Sequence, residues 1–188
     1  MISKVTAEAM SESLVNKFNK GKMYHDRQCP DSLSTLNPFS RIQQQLTWFM
    51  CDFFKKNLCP TYNYARHYID GDVLHTHKDR PSCQYSMTLS LSREEGEGIW
   101  PFYAQYKEQP HSEILMDVGD CTIYKGCDVE HWRDVNDYGT QYQTFLHYVD
   151  IDGKYKDSVY DAKNNPDYSR FFSSINPNLH LNSKPKKK

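Results

Sequence analysis

The segment from Gly71 to Arg80, which reads GDVLHTHKDR, carries two side chains that can share one metal ion. Because side chains alternate along a strand, His77 and Asp79 would point to the same face of the chain. An imidazole nitrogen and a carboxylate oxygen are both ligands of divalent transition metals. His131 lies far downstream on another strand-like run and is the best candidate for a third ligand. The spacing therefore predicts a mononuclear metal site at His77, Asp79 and His131.

Two histidines and one carboxylate occupy one face of an octahedron and leave three positions open. That donor set is typical of non-haem Fe(II) oxygenases, in which a bidentate cosubstrate and O₂ take the open positions. His75 shares the strand face of His77, so we place it beside the ligands or at the pocket entrance. Two other classes also fit these residues. One is a cupin-like jelly-roll protein that binds a metal or ligand without turnover, and the other is an interaction protein in which His77 and Asp79 only form hydrogen bonds.

The elements that must position these residues begin with helices. Residues 5–18 place apolar side chains at helical spacing, whereas residues 20–36 are polar and irregular. A second helix is predicted after Asn37, which can cap it, and its apolar stripe covers residues 39–53. A helix with so wide an apolar face must cover another layer of structure.

From residue 62 onward the pattern changes to short β-forming runs separated by Gly, Pro, Asp and Asn. In the run 84–92, apolar residues alternate with Ser and Thr, so we expect one face against the helices and a small polar face lining a cavity. Short strands without intervening helices predict a mainly β domain, built as an antiparallel sandwich or barrel. The predicted strands lie near residues 62–68, 72–77, 84–92, 99–106, 113–117, 120–125, 129–133 and 141–150.

Several pieces of the sequence follow one another in a characteristic order: Tyr68, Gly71-Asp72, His77-x-Asp79, Ser86–Leu91, Val118-Gly119-Asp120, Ile123-Tyr124, His131 and Phe145–Tyr148. In this order and spacing, residues 64–150 resemble the catalytic core of the 2-oxoglutarate/Fe(II)-dependent dioxygenases, most of all the prolyl 4-hydroxylase-like group. The resemblance implies a double-stranded β-helix (jelly roll) core with N-terminal flanking helices and iron at one mouth. It also implies that Fe(II), 2-oxoglutarate and O₂ are used to hydroxylate an unactivated C–H bond, with succinate as coproduct. A prolyl residue of a protein or peptide is the substrate that the resemblance suggests, and a small molecule stays open.

The resemblance includes one departure, at the residue that binds the far carboxylate of 2-oxoglutarate. The group usually carries a Lys or Arg shortly after the distal histidine, but residues 139–143 read GTQYQ, without a cation. Arg133 follows His131 by two positions, points to the same side of its strand, and has a guanidinium that can bind a carboxylate through two hydrogen bonds. We expect Arg133 to be the cosubstrate anchor, with Lys125 as the alternative. Further hydrogen bonds to the cosubstrate could come from Tyr68 and Ser90.

Length and composition fit one domain with its own core. We expect a single dioxygenase domain over residues 1–180, followed by a flexible basic tail at 181–188. Within the domain, the helical part would cover residues 1–58, the jelly-roll core 60–150 and a C-terminal extension 151–180.

Charge and cysteine usage argue against several classes of protein. The 188 residues include 23 basic and 24 acidic side chains, so neither nucleic acid nor an anionic membrane is an expected partner. We expect no secretory signal, and no apolar run approaches the roughly 18 residues of a membrane span. The six cysteines form no CxxC pair, which argues against a zinc site of that type and indicates free thiols in a reducing, cytoplasmic compartment. The pattern does not indicate an oligomeric state.

Overall fold

Two helices precede the main strands in the computed structural model, which describes residues 2–94 and 98–158. Helix α1 spans Lys4–Asn19 and helix α2 spans Ser40–Phe54, so both predicted helices are confirmed. The expected extension beyond residue 158 and the expected tail at 181–188 lie outside the described residues.

The predicted cap of α2 is wrong. The Asn37 side chain accepts a hydrogen bond from the backbone N–H of Asn63 at 3.0 Å instead of capping the helix. The Asn63 side chain in turn accepts from the N–H of Phe39, the residue before the helix, also at 3.0 Å. Helix α2 is therefore joined to the strand that carries Asn63 by a reciprocal pair of asparagine contacts.

Within residues 2–94 and 98–158, ten strands form two antiparallel sheets, and the prediction of a mainly β, jelly-roll fold is confirmed. The first sheet has the order β1-β2-β3-β10-β5-β8, and the second has the order β4-β9-β6-β7. A short 3₁₀ helix, Pro81–Cys83, joins the two sheets between β4 and β5. The strands are β1 (Tyr24–His25), β2 (Leu33–Leu36), β3 (Leu58–Tyr68), β4 (Leu74–His77), β5 (Tyr85–Arg93), β6 (Phe102–Tyr106), β7 (Ser112–Ile114), β8 (Cys121–Tyr124), β9 (Val129–Arg133) and β10 (Gln141–Asp150).

The segment 20–36, expected to be irregular, contains the two strands β1 and β2. Strand β2 pairs with β3, with Leu33 opposite His67, and so extends the first sheet toward the N-terminal region. Strands of two and four residues at a sheet edge carry too few positions for a period-two pattern to stand out. The N-terminal part is consequently helical with an inserted hairpin.

Strand β5 separates an apolar layer from a polar interior. Its side chains Met87, Leu89 and Leu91 pack in the main core with residues of both helices. Thr88 and Ser90 are buried on the opposite face, as the alternation predicted. Ser92 differs from the prediction, because the register between β10 and β5 shifts at this end and its hydroxyl accepts a hydrogen bond from Ser11 of α1.

All six cysteines are free, as expected. Within the part of the chain that the structure describes, neither helix has the length and apolar character needed to traverse a lipid bilayer.

Candidate metal and cosubstrate site

The structure brings His77, Asp79 and His131 together at one mouth of the fold. His77 ends β4 and lies directly opposite His131 on β9, while Asp79 follows β4 by two residues. The metal-binding atoms of the three side chains lie within 4.8 Å of one another. The backbone N–H of Asp79 donates to the carbonyl of Gly126 at 2.8 Å, which holds the carboxylate just beyond the end of the strand. Pairing between two distant strands thus assembles a two-histidine, one-carboxylate donor set.

Both histidines are oriented by hydrogen bonds to their own strands. Nδ1 of His77 lies 2.7 Å from the carbonyl of His75, and Nδ1 of His131 lies 3.1 Å from the carbonyl of Val129. A carbonyl can only accept, so each Nδ1 carries the proton and each Nε2 presents a lone pair to a metal. The His75 imidazole is exposed and outside the ligand cluster, so His75 contacts the site through its backbone.

The carboxylate of Asp79 is held between these imidazoles and β5. Its Oδ1 lies 4.0 Å from Nε2 of His77 and 3.7 Å from Nε2 of His131, distances that a shared ion could bridge. Its Oδ2 accepts a hydrogen bond from the Ser86 hydroxyl at 3.0 Å. Ser86 was expected only to line the pocket, and the structure shows that it orients this carboxylate.

The buried position of His131 favours the neutral form of its imidazole. Its side chain is almost completely buried, and desolvation, helped by the nearby His77, lowers its pKa to about 4. An imidazole binds a metal only through an unprotonated nitrogen. At neutral pH, His131 therefore needs to lose no proton before it binds an ion.

Gly126 is a further residue of the site that sequence reasoning missed. A Cβ atom built on Gly126 would overlap both Oδ2 of Asp79 and the carbonyl oxygen of Cys83. The only sequence signal was a glycine between two predicted strands, in Lys125-Gly126-Cys127. Glycine is required at position 126 because two loops that are distant in sequence approach each other closely there, and a local sequence pattern does not show this approach.

Replacing Gly126 by alanine is expected to weaken divalent-metal binding by roughly 10- to 100-fold, the range typical of groups that orient metal ligands. The new methyl group must displace the Asp79 carboxylate or the loop that carries it. Competition with a coloured chelator measures the change. Gly21→Ala is a control for general destabilisation, because nothing lies near a Cβ at Gly21 but its φ of +61° strains any added side chain away from the site. Equal metal affinity in Gly126→Ala and wild type would show that the contact does not position Asp79.

Arg133 lies inside the fold, two residues after His131. Its guanidinium donates to the carbonyls of Trp100 and Pro101 and to the side-chain oxygen of Gln143, and it lies over the ring of Trp100. Among the described residues, no carboxylate forms an ion pair with Arg133. Desolvation lowers its pKa to about 10, which reflects a buried positive charge without compensation. Such a group favours an anion in the adjacent interior.

The wall formed by β5 and β10 carries polar groups without partners, and one of them belongs to Gln143, which contacts the Arg133 guanidinium. The side-chain nitrogen of Gln143 and the hydroxyl of Thr88 are buried and form no hydrogen bond within the described structure. Gln143 lies opposite Ser90 in the register of β10 and β5, so Ser90 is on the wall of the same interior. The Tyr68 hydroxyl accepts from Arg66 at 2.7 Å, and Lys125 is exposed. The expected residues Arg133, Ser90 and Tyr68 are thus interior groups, and the alternative anchor Lys125 is not.

Several solved structures are similar to this chain. A prolyl-4-hydroxylase from Pseudomonas putida superposes with a TM-score of 0.65 at 10% identity, over 78% of this chain and 87% of that chain. The α-ketoglutarate-dependent non-haem carbocyclase SnoK of nogalamycin biosynthesis superposes with a TM-score of 0.64 at 9% identity, over 80% and 77%. HygX from Streptomyces hygroscopicus, with nickel and 2-oxoglutarate bound, has a TM-score of 0.56 at 14% identity, over 75% and 78%. No family model and no curated protein matches the sequence.

The chain has the fold of the 2-oxoglutarate/Fe(II) oxygenases. Within this oxygenase fold, a cavity of about 500 Å³ opens beside Asp79. Tyr62 and Tyr64 of β3 form its aromatic wall, and β2 together with the turn after β1 forms its rim. Of the candidate metal ligands, Asp79 lines this cavity, which is large enough for a side chain or a small molecule.

A second buried arginine, Arg66 on β3, was missed in the sequence. Its guanidinium forms an ion pair with Asp26 at 2.9 Å and also donates to the Tyr68 hydroxyl. Unlike Arg133, it therefore already has a carboxylate partner. This contrast distinguishes the two buried arginines: Arg66 fixes the hairpin to β3, and Arg133 has no carboxylate partner among the described residues.

Proposed function

We propose that this protein is a 2-oxoglutarate- and Fe(II)-dependent dioxygenase that hydroxylates an unactivated C–H bond. The observation that carries the proposal is the placement, in one interior, of a two-histidine, one-carboxylate cluster and a buried arginine without a carboxylate partner. The cluster suits a metal with open positions, and the arginine suits the far carboxylate of a dicarboxylic cosubstrate. A protein that only bound a metal would need neither the open positions nor the uncompensated cation.

Each group has a defined task in this proposal. His77, Asp79 and His131 would hold Fe(II), with both imidazoles presenting Nε2 and Ser86 steadying the carboxylate. When bound, iron with 2-oxoglutarate supplies the activation of O₂ that C–H hydroxylation requires. Arg133 would bind the far carboxylate, and the unpaired groups of Thr88 and Gln143 would complete its hydrogen bonds.

The substrate would enter through the cavity beside Asp79, between Tyr62 and the hairpin formed by β1 and β2. An aromatic wall packs well against a ring or an extended peptide. A prolyl residue of a protein or peptide is the candidate supported by the resemblance to prolyl hydroxylases. SnoK, described as a carbocyclase, shares the fold, so a small-molecule substrate is the second candidate.

Anaerobic titration with Fe(II) and 2-oxoglutarate tests the proposal directly. We expect a weak visible charge-transfer band that requires both components, because only a bidentate cosubstrate on Fe(II) produces it. On admission of O₂, 2-oxoglutarate should be consumed and succinate should form slowly even without substrate, and a peptide or metabolite that accelerates succinate formation identifies the substrate class. A metal-binding protein of the cupin type would take up the metal without a band and without succinate, and that result would refute the proposal.

A further inference from the structure

The Asp79 carboxylate has ligand atoms of other residues on both of its sides. Its Oδ1 faces the two imidazoles of His77 and His131, while its Oδ2 accepts from the Ser86 hydroxyl. On the Ser86 side lie Cys83 and His147, whose metal-binding atoms and those of Asp79 are all within 4.8 Å of one another. This second cluster has no place in the proposed oxygenase chemistry.

One ring nitrogen of His147 lies within 4.8 Å of the ligand atoms of Asp79 and Cys83. It is only 2% exposed, and its Nδ1 lies 2.9 Å from the Ser86 hydroxyl. The Ser86 hydroxyl also lies 3.3 Å from the Cys83 carbonyl, and a carboxylate and a carbonyl can only accept, so Ser86 donates to these oxygens and His147 donates to Ser86 through Nδ1–H. The remaining nitrogen, Nε2, is buried without a partner and carries a free lone pair. An orphaned buried nitrogen of this kind favours an electrophilic occupant.

Burial and the nearby Asp79 carboxylate raise the pKa of the Cys83 thiol to about 12, so it keeps its proton until a metal ion replaces it, and two neighbouring groups favour the thiolate. Its Sγ lies 3.0 Å from the Tyr62 hydroxyl, and that hydroxyl accepts from Nε of Arg80 at 3.3 Å. The Arg80 guanidinium also lies over the Tyr62 ring, 4.7 Å from its centroid. With Arg80 as its donor, Tyr62 is free to donate its own proton to the sulfur, and such a hydrogen bond stabilises a thiolate.

We propose that Asp79, Cys83 and His147 form a second metal site, suited to a thiophilic divalent cation such as Zn(II), and that it shares Asp79 with the candidate iron site. One sulfur, one nitrogen and one oxygen form a donor set that zinc accepts, with water as a fourth ligand. Zinc bonds of roughly 2.0–2.3 Å hold ligand atoms closer together than 4.8 Å, so small side-chain rotations complete the site. The thiol proton leaves to solvent as the ion binds.

The position of the cluster gives an ion access to it. Asp79, Cys83 and His147 all line the 500 Å³ cavity that opens to the surface. Because a carboxylate has two oxygens, Oδ2 can bind the second ion while Oδ1 still faces the histidine pair. The two sites are consequently coupled through one side chain.

Titration of the chelator-treated protein with Co(II) tests the second site, because only a cysteine ligand produces an intense thiolate-to-cobalt charge-transfer band in the near ultraviolet. We expect the band in wild type, and we expect it to disappear when Zn(II) is added. Cys83→Ser and His147→Gln should each abolish the band, and each should lower the amount of bound cobalt by one ion per chain. Cys127→Ser is the matched control, since Cys127 is in the neighbouring loop, 3.4 Å from the carbonyl of Arg80, and outside the cluster.

The variant His131→Ala separates this proposal from the oxygenase proposal. It removes a candidate iron ligand, and the thiolate band should persist because His131 is not part of the second cluster. Absence of the band in wild type, or its survival in Cys83→Ser, would overturn the second site. Loss of the band in Cys127→Ser would overturn it as well. None of these results depends on whether Fe(II) and 2-oxoglutarate bind.

Discussion

Replacing Arg133 by leucine is expected to weaken 2-oxoglutarate binding by roughly 100- to 1,000-fold while Fe(II) still binds. The loss corresponds to about 3–4 kcal/mol, within the range for removing one partner of a buried, hydrogen-bonded charge pair. The reason is that Arg133 is buried at 3% exposure, pairs with no described carboxylate, and contacts Gln143, whose side-chain nitrogen has no partner among the described residues. Isothermal titration of the metal-loaded protein with 2-oxoglutarate under nitrogen measures the effect.

Two further variants make the Arg133 experiment decisive. Lys125→Met removes the alternative anchor, which is exposed, and should leave the affinity for 2-oxoglutarate unchanged. In the double variant Arg133→Leu/Gln143→Arg, the new arginine on β10 places a guanidinium close to the position of the lost one, because the side chains of Arg133 and Gln143 lie 3.1 Å apart. This variant should recover part of the affinity for 2-oxoglutarate. If Arg133→Leu bound 2-oxoglutarate as tightly as wild type, the anchor would have to be a different cation.

Replacing His131 by alanine is expected to lower Fe(II) affinity by more than roughly 100-fold and to abolish succinate formation. This loss should exceed the range of about 10- to 100-fold found for groups that only orient a ligand. Two ligand atoms remain after the change, and a buried imidazole that needed no deprotonation at neutral pH is lost. Competition with a ferrous chelator gives the affinity.

His75→Ala is the matched control for this loss. His75 belongs to the same short strand, but its imidazole is exposed, and the carbonyl that orients His77 is retained in the variant. We expect iron affinity close to that of wild type. An equal loss of iron in His75→Ala and His131→Ala would contradict the assignment of the three ligands.

Strand alternation accounts for much of what could be predicted. It placed Met87, Leu89 and Leu91 toward the helices and Thr88 and Ser90 toward the interior, as observed. The prediction was wrong for Ser92 because a register shift against β10 changes the side of the strand on which the following residue lies. A bulge depends on the partner strand, so the pattern of β5 alone cannot reveal it.

The candidate site also has features that the sequence shows and features that only the folded chain shows. Residue types and period-two spacing were sufficient to propose His77 and Asp79 as a pair, because side-chain direction along a strand is a local property. The candidates His131 and Arg133 also needed the order of pieces in the family resemblance. Tertiary structure alone brought His131 opposite His77, left Arg133 without a carboxylate, and brought Gly126 against Asp79.

The second cluster depended even more on tertiary structure. Cys83 is close to Asp79 along the chain, but His147 carries no spacing signal and reaches them because β10 lies beside β5 in the first sheet. Chemistry that depends on which groups alternate along one strand is therefore readable from sequence. Chemistry that depends on desolvation, on close approach, or on which charge lacks a partner is set by the packing of distant segments, and it appears only when the chain is folded.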